Sequence, residues 1–135
     1  MLKELPKEVY KAISFEQGNK PDFDFLASLF IENGLFINNK GEQPVIKTVP
    51  DYVKMIDTNI DNGNIVSIKE EEISNEVIEF GNVAQIASKY ELVFEGALGS
   101  QTRYGVNLFQ LIRQNESWSV SSMCWDDRTD KSLIE

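Results

Sequence analysis

The sequence predicts an α+β domain in which three N-terminal helices pack on one face of a curved, mainly antiparallel sheet. Three observations carry that expectation. Apolar residues recur at helical spacing through most of the first half of the chain. From Ile65 onward they alternate with polar residues at strand spacing. The alternating segments follow one another directly, separated by short turns rather than by further helices. At 135 residues the chain reads as one domain, residues 1–135, long enough to bury a sizeable core.

The elements follow in order. Leu5, Val9, Ala12 and Ile13 share a helical face, and Pro6 is acceptable in a first turn, so residues 4–17 are expected to form a helix ending near Gly18. Asp22 is the expected N-cap of a second helix, with Phe23, Leu26, Ala27 and Phe30 as its stripe and Asn33-Gly34 as its stop. Leu35 to Asn38 read as a short strand and Asn39 to Pro44 as a polar loop. Thr48, with Asp51 three residues on, opens a third helix through Val53, Ile56 and Ile60, closed by the turn residues Asp61 to Asn64. Four strands are expected after that. They are Ile65 to Phe80, with room for a bulge; Val83 to Glu95; Val106 to Arg113, after a glycine-rich loop Gly96–Gly105; and Trp118 to Asp126, after a tight turn.

Composition narrows the function. The net charge of −9 opposes binding to a nucleic-acid backbone or to anionic lipid, and no apolar run approaches the roughly 20 residues of a membrane-spanning helix. The charged start MLKELPKEVYK does not read as a secretory signal, so a cytoplasmic location is the default expectation. The chain has no histidine, which removes the commonest general base and the commonest metal ligand. Cys124 is the sole cysteine, so no intrachain disulfide forms, and a buried inert thiol is expected. No metal site and no cofactor are expected.

The strands divide into faces. Ile86, Tyr90, Leu92 and Phe94 make one apolar face of their strand, opposite Gln85, Lys89, Glu91 and Glu95. In the next strand Val106, Leu108 and Ile112 share a face with Gln110, and Asn107, Phe109 and Leu111 share the other with Arg113. Two greasy faces exceed what one helix layer covers, which predicts a homodimer formed sheet to sheet across the outer face. Trp118 and Trp125, seven residues apart, are expected on opposite faces of a regular final strand. Asp126 and Asp127 split in the same way, which weakens a carboxylate dyad and leaves Asp126 as a single candidate acid or base. The run Glu70-Glu71-Glu72 reads as a solvated edge.

The succession EEEI, FGNVAQIASKYE, GVNLFQLIR and SWSVSSMCWDD, after a helical first half and the LFIN strand, resembles a bacterial branch of the nuclear transport factor 2-like superfamily (SnoaL-like, cystatin-like). The resemblance covers most of the chain. It implies a cone-shaped half-barrel, a strongly bent sheet wrapped round a long helix with a pocket at the wide end, and commonly a dimer. Where the branch often carries a histidine this chain has Gln85, so any role of that histidine is missing.

Together these readings name a candidate pocket. Tyr10, Tyr52 and Tyr90 would supply hydroxyls, Asn107 or its strand neighbour Gln110 a buried amide, and Phe30, Phe109 and Trp125 an aromatic wall. Arg103 or Arg113 would hold a carboxylate or stay in a surface ion pair. Three functions stay open: a binder of a small hydrophobic or carbonyl-containing molecule, an isomerase or dehydratase using a lone carboxylate base, and a non-catalytic interaction module.

Overall fold

A computed structural model describes residues 2–135. Helix α1 (Leu5–Ile13) and helix α2 (Phe23–Ser28) precede strands β1 (Phe30–Asn38) and β2 (Val45–Thr48). Helix α3 (Val49–Asp61) leads into β3 (Ile65–Phe80), β4 (Val83–Gly96), β5 (Gly99–Gln114) and β6 (Ser117–Arg128), with one 3-10 turn at Leu2–Glu4 and another at Lys131–Ile134. The strands form a single curled, unclosed sheet in the order β2-β1-β6-β5-β4-β3, antiparallel except where β1 runs parallel to β6. The helices cover its concave side, as expected for the α+β class.

Local chemistry explains most boundaries. Thr48 Oγ1 accepts from the Asp51 amide at 3.3 Å and caps α3, and Asp22 Oδ1 accepts from the Phe25 amide at 3.1 Å and caps α2. Both caps are where the sequence puts them. Helix α1 stops at Ile13, short of the expected residue 17, because Phe15 pairs with Ile68 of β3 through two backbone hydrogen bonds of 2.8 and 3.1 Å. Helix α2 stops at Ser28, and Phe30 opens β1 instead of continuing the stripe. The Leu29 carbonyl accepts from the Val120 amide of β6 at 2.9 Å, so sheet pairing overrides helical spacing here. The edge strand β2 lies where no strand was expected, its short exposed run carrying no alternation to read. The expected loop Gly96–Gly105 is mostly strand. Gly96 pairs with Gly99, leaving Ala97-Leu98 as the hairpin turn, and the exposed residues that follow gave no apolar signal.

The most consequential difference is in β6. Gln110 pairs with Ser122 and Leu111 with Val120, so Ser121 is an extra residue, a β-bulge. The bulge cancels the odd spacing. Trp118 and Val120 before it face the same way as Met123, Trp125 and Asp127 after it, paired with Arg113, Leu111, Phe109, Asn107 and Gly105. Both tryptophans pack against the concave core, so the expected split of Trp118 and Trp125 is wrong. That core joins Val9 and Tyr10 of α1, Leu26 of α2, Ile86 and Tyr90 of β4, Phe109 and Leu111 of β5 and Val120 of β6, all buried. Each such aliphatic or aromatic side chain contributes about 1.5–3 kcal/mol through burial. Phe30, Phe36 and Tyr52 stack in series, with ring centroids 4.6 and 3.9 Å apart, and bind α3 to β1.

Candidate functional site

A cavity of about 150 Å³ lies between the concave sheet and the helices. Its wall is mostly apolar, with Ile13, Ile56, Ile68, Leu92 and Met123 among its residues, and its polar members come from different strands. Glu70 points in from β3, Tyr90 from β4, Asn107 from β5 and Asp127 from β6, while Tyr52 enters from α3 and Lys40 from the β1–β2 connection.

Strand register explains this convergence. Tyr90 pairs with Gly105 and Gly105 with Asp127, so the three lie in one row across β4, β5 and β6. A Cβ at Gly105 would sit 2.5 Å from Asp127 Cβ and 2.7 Å from the Tyr90 hydroxyl oxygen. The missing side chain therefore lets Tyr90 reach over β5 and donate its hydroxyl proton to Asp127 Oδ2 at 2.7 Å. Arg103 Nε donates to Asp127 Oδ1, Arg103 Nη2 donates to the Asp127 backbone carbonyl at 2.9 Å, and Lys40 Nζ lies 3.9 Å from Oδ1. Asp127 is 2% exposed, and these partners make its burial affordable.

Glu70 has no comparable set of partners. Ile68, Glu70 and Glu72 alternate on the inward side of β3, so the expectation of a wholly solvated acidic edge fails for Glu70 and Glu72 and holds for Glu71. Burial pushes the Glu70 carboxyl up to about 8, and the neighbouring Asp127 carboxylate adds to the rise. The Asn107 amide and Lys40 pull in the other direction. Burial likewise raises the Tyr10, Tyr52 and Tyr90 hydroxyls, so all three remain phenols at neutral pH.

No protein-family model matches this sequence, and no curated protein does. Solved structures do match it in shape. A hexachlorocyclohexane dehydrochlorinase, LinA-type3 from Novosphingobium barchaimii, superposes with a TM-score of 0.76 at 10% identity, over 94% of this chain and 84% of that one. A candidate dehydratase of the NTF2-like family from Streptomyces avermitilis gives 0.70 at 15% identity, over 96% and 94%. A protein of unknown function with a cystatin-like fold from Nostoc punctiforme gives 0.70 at 14% identity, over 98% and 92%. The chain has the nuclear transport factor 2-like, cystatin-like fold. Identities this low carry the fold and not the activity.

Within this cavity the candidates sort clearly. Tyr52, Tyr90, Asn107 and Trp125 line it. Phe30 and Phe109 are buried in the core behind it, and Tyr10 reaches it only through a hydrogen bond from Asn107. Arg103 holds the interior carboxylate, whereas Arg113 lies over the Trp118 ring at 5.3 Å. Asp126 pairs with Arg128 and opens onto a wider groove of about 510 Å³, shared with Val106, Leu108 and Cys124 of the outer face. The interior member of the acidic pair is Asp127, two residues from Trp125 and on the same face. That parity is readable in the sequence from Trp125 as a wall residue. Lys40, in a polar loop, gave no such signal. Among the described residues no group of three or more His, Cys, Asp or Glu is arranged to hold a metal ion.

Proposed function

We propose that the chain binds a small, largely apolar carbonyl-containing molecule in its concave cavity, and that Glu70 moves a proton on it. The observation that carries this reading is a carboxyl group in an apolar cavity wall, protonated up to about pH 8, beside a second carboxylate already satisfied by Arg103 and Tyr90. Two carboxyl groups in such unlike surroundings suit an acid–base role. Deprotonated, Glu70 takes a proton from a carbon next to a carbonyl, and the electron pair moves onto the carbonyl oxygen. Returning the proton at another carbon gives isomerisation, and loss of a neighbouring leaving group gives elimination. A dehydrochlorinase and a candidate dehydratase among the structural neighbours are eliminating enzymes by name, which supports the class.

Deuterium wash-in from heavy water into a panel of small cyclic and aryl ketones, followed by proton NMR, tests this. Exchange should rise with pH through about 8, as the base form appears. Glu70→Gln should lower it by about 100-fold or more, and Asp126→Asn should leave it unchanged. Exchange that survives Glu70→Gln removes Glu70 from the reaction. Saturable binding of these compounds with no exchange in the unaltered chain leaves a ligand carrier instead.

A further inference from the structure

A line of hydrogen bonds runs from the protein surface to the cavity wall. At its outer end Lys3 Nζ donates to Asn75 Oδ1 at 2.6 Å, and Asn75 Nδ2 donates to the two Glu72 carboxylate oxygens at 3.1 and 3.0 Å. Ser88 Oγ then donates to Glu72 Oε2 at 2.6 Å, Tyr10 OH donates to Ser88 Oγ at 2.8 Å, and Asn107 Nδ2 donates to Tyr10 OH at 3.0 Å. A bulge in β3 between Glu72 and Ser74 makes Asn75 the next inward residue after Glu72, which is how both join the line. Asn107 is 1% exposed and lines the cavity, and its Oδ1 has no hydrogen-bond partner.

The outer end dictates the direction of every link. A carboxylate only accepts, so the Ser88 proton goes to Glu72. The Ser88 oxygen then accepts, and the Tyr10 proton goes to it. The phenol oxygen must in turn accept, and only the amide nitrogen of Asn107 supplies that donor. The amide oxygen is left over. A buried acceptor without a donor is costly, and a ligand that brings one removes the cost.

We propose that Glu72, which lies outside the cavity, acts through Ser88 and Tyr10 as a positioning residue that holds Asn107 Oδ1 as an unpaired acceptor, so that the cavity takes molecules presenting a hydroxyl or amine hydrogen at that point. This rests on the reading of the same cavity as a ligand site and names the chemistry of the ligand. A ligand that meets both Glu70 and Asn107 combines a carbonyl with a hydroxyl or amine. An ether or methylene in place of the hydroxyl leaves the acceptor orphaned.

Ligand-free NMR of the whole chain tests it. Two signals are followed: the Asn107 side-chain amide protons and the Glu70 carboxyl carbon. The charged and titratable groups around Glu70 are Lys7, Tyr10 and Lys11 on α1, Tyr52 on α3, Lys40 before β2, Glu71 and Glu72 on β3 itself, Tyr90 on β4, Arg103 on β5 and Asp127 on β6, and the variants alter only Glu71 and Glu72 among them. In the unaltered protein the amide protons should show nuclear Overhauser contacts to the Tyr10 ring. Glu72→Gln replaces one acceptor oxygen at the outer end by a donor; with its Nε2 toward Ser88 Oγ the line runs in the opposite sense and the Asn107 amide turns over. The contact is then lost, and Glu70 titrates about one unit higher, with an oxygen where a nitrogen stood. Removing the Glu72 charge alone would move Glu70 lower, so the sign separates the two causes. Ser88→Ala, which changes no charge, frees the Tyr10 proton for Asn107 Oδ1 and should lose the same contact. Glu71→Gln, at the outward neighbour, should keep it. Contacts that persist in both Glu72→Gln and Ser88→Ala, or a Glu70 midpoint that falls in Glu72→Gln, overturn the proposal. A Glu70 that titrates near 4.5 in the unaltered protein would instead remove the proton-transfer reading, with the Asn107 contact still reporting on orientation.

Discussion

Glu70 carries a cost that pH reveals. In the unfolded chain its carboxyl loses its proton near the ordinary value of 4.5, while in the folded protein it holds the proton to about 8. Between those values the folded state binds more protons, so this residue makes stability fall as pH rises, and the loss levels off above about 8. Glu70→Gln should therefore leave stability little changed at pH 4 and raise it by about 2 kcal/mol at pH 9, discounted for a group that still meets solvent. Urea denaturation at the two pH values measures the difference, and a variant less stable at pH 9 would show that the charged form is not strained. Glu70 sits in a run of like charge, which is usually wet, and Glu71 obeys that rule with an exposed side chain. What separates the neighbours is parity on β3, and parity becomes informative only once Ile68 is known to face the core. Tyr90 and Asn107 were legible because a phenol and an amide amid apolar alternation ask for buried partners.

At the scale of elements, the caps and long alternations could be read because their signals are local. Thr48 and Asp22 do what their positions promise, and β4 keeps one apolar face through Ile86, Tyr90, Leu92 and Phe94. Bulges are different. Nothing in SWSVSSMCWDD marks Ser121 as the extra residue, because the bulge is set by pairing with β5. Its effect is large: without Ser121, Trp118 and Val120 would turn to the outer face relative to Trp125 and Asp127. Deleting Ser121 should abolish cooperative thermal unfolding or lower Tm by more than 10 °C, since two core side chains are lost at once. Ser121→Ala, which loses only a 3.0 Å hydrogen bond to the Gln110 carbonyl, should shift Tm by a few degrees at most. Equal effects from the two changes would mean that the bulge does not set the facing.

For the whole molecule, the order of helices then strands was enough to anticipate the class, whereas the parallel pairing of β1 with β6 joins distant segments and leaves no local trace. The outer face of the sheet keeps Val106, Leu108 and Ile112 on one side of β5 with Cys124 beside them on β6, and Leu108 and Val83 are exposed. A second copy of the chain packed sheet to sheet remains our proposal for this surface. Sedimentation equilibrium at micromolar concentration should give a dimer that Leu108→Lys converts to monomer. A monomeric unaltered chain would end the idea.

Gly105 also bears on how distant relatives can be recognised. Because its empty position is where the Tyr90 hydroxyl passes to Asp127, positions 90, 103, 105 and 127 form one coupled unit rather than independent sites. In any homologue a residue larger than glycine at 105 meets the backbone carbonyl of residue 126 and the Cβ of residue 127 as well as the tyrosine hydroxyl, so the two strands have to shift apart and the tyrosine–aspartate–arginine contacts shift with them. The four should be kept or lost together. That joint pattern is a sharper marker of chains sharing this interior than any of the short stretches by which the fold was first read.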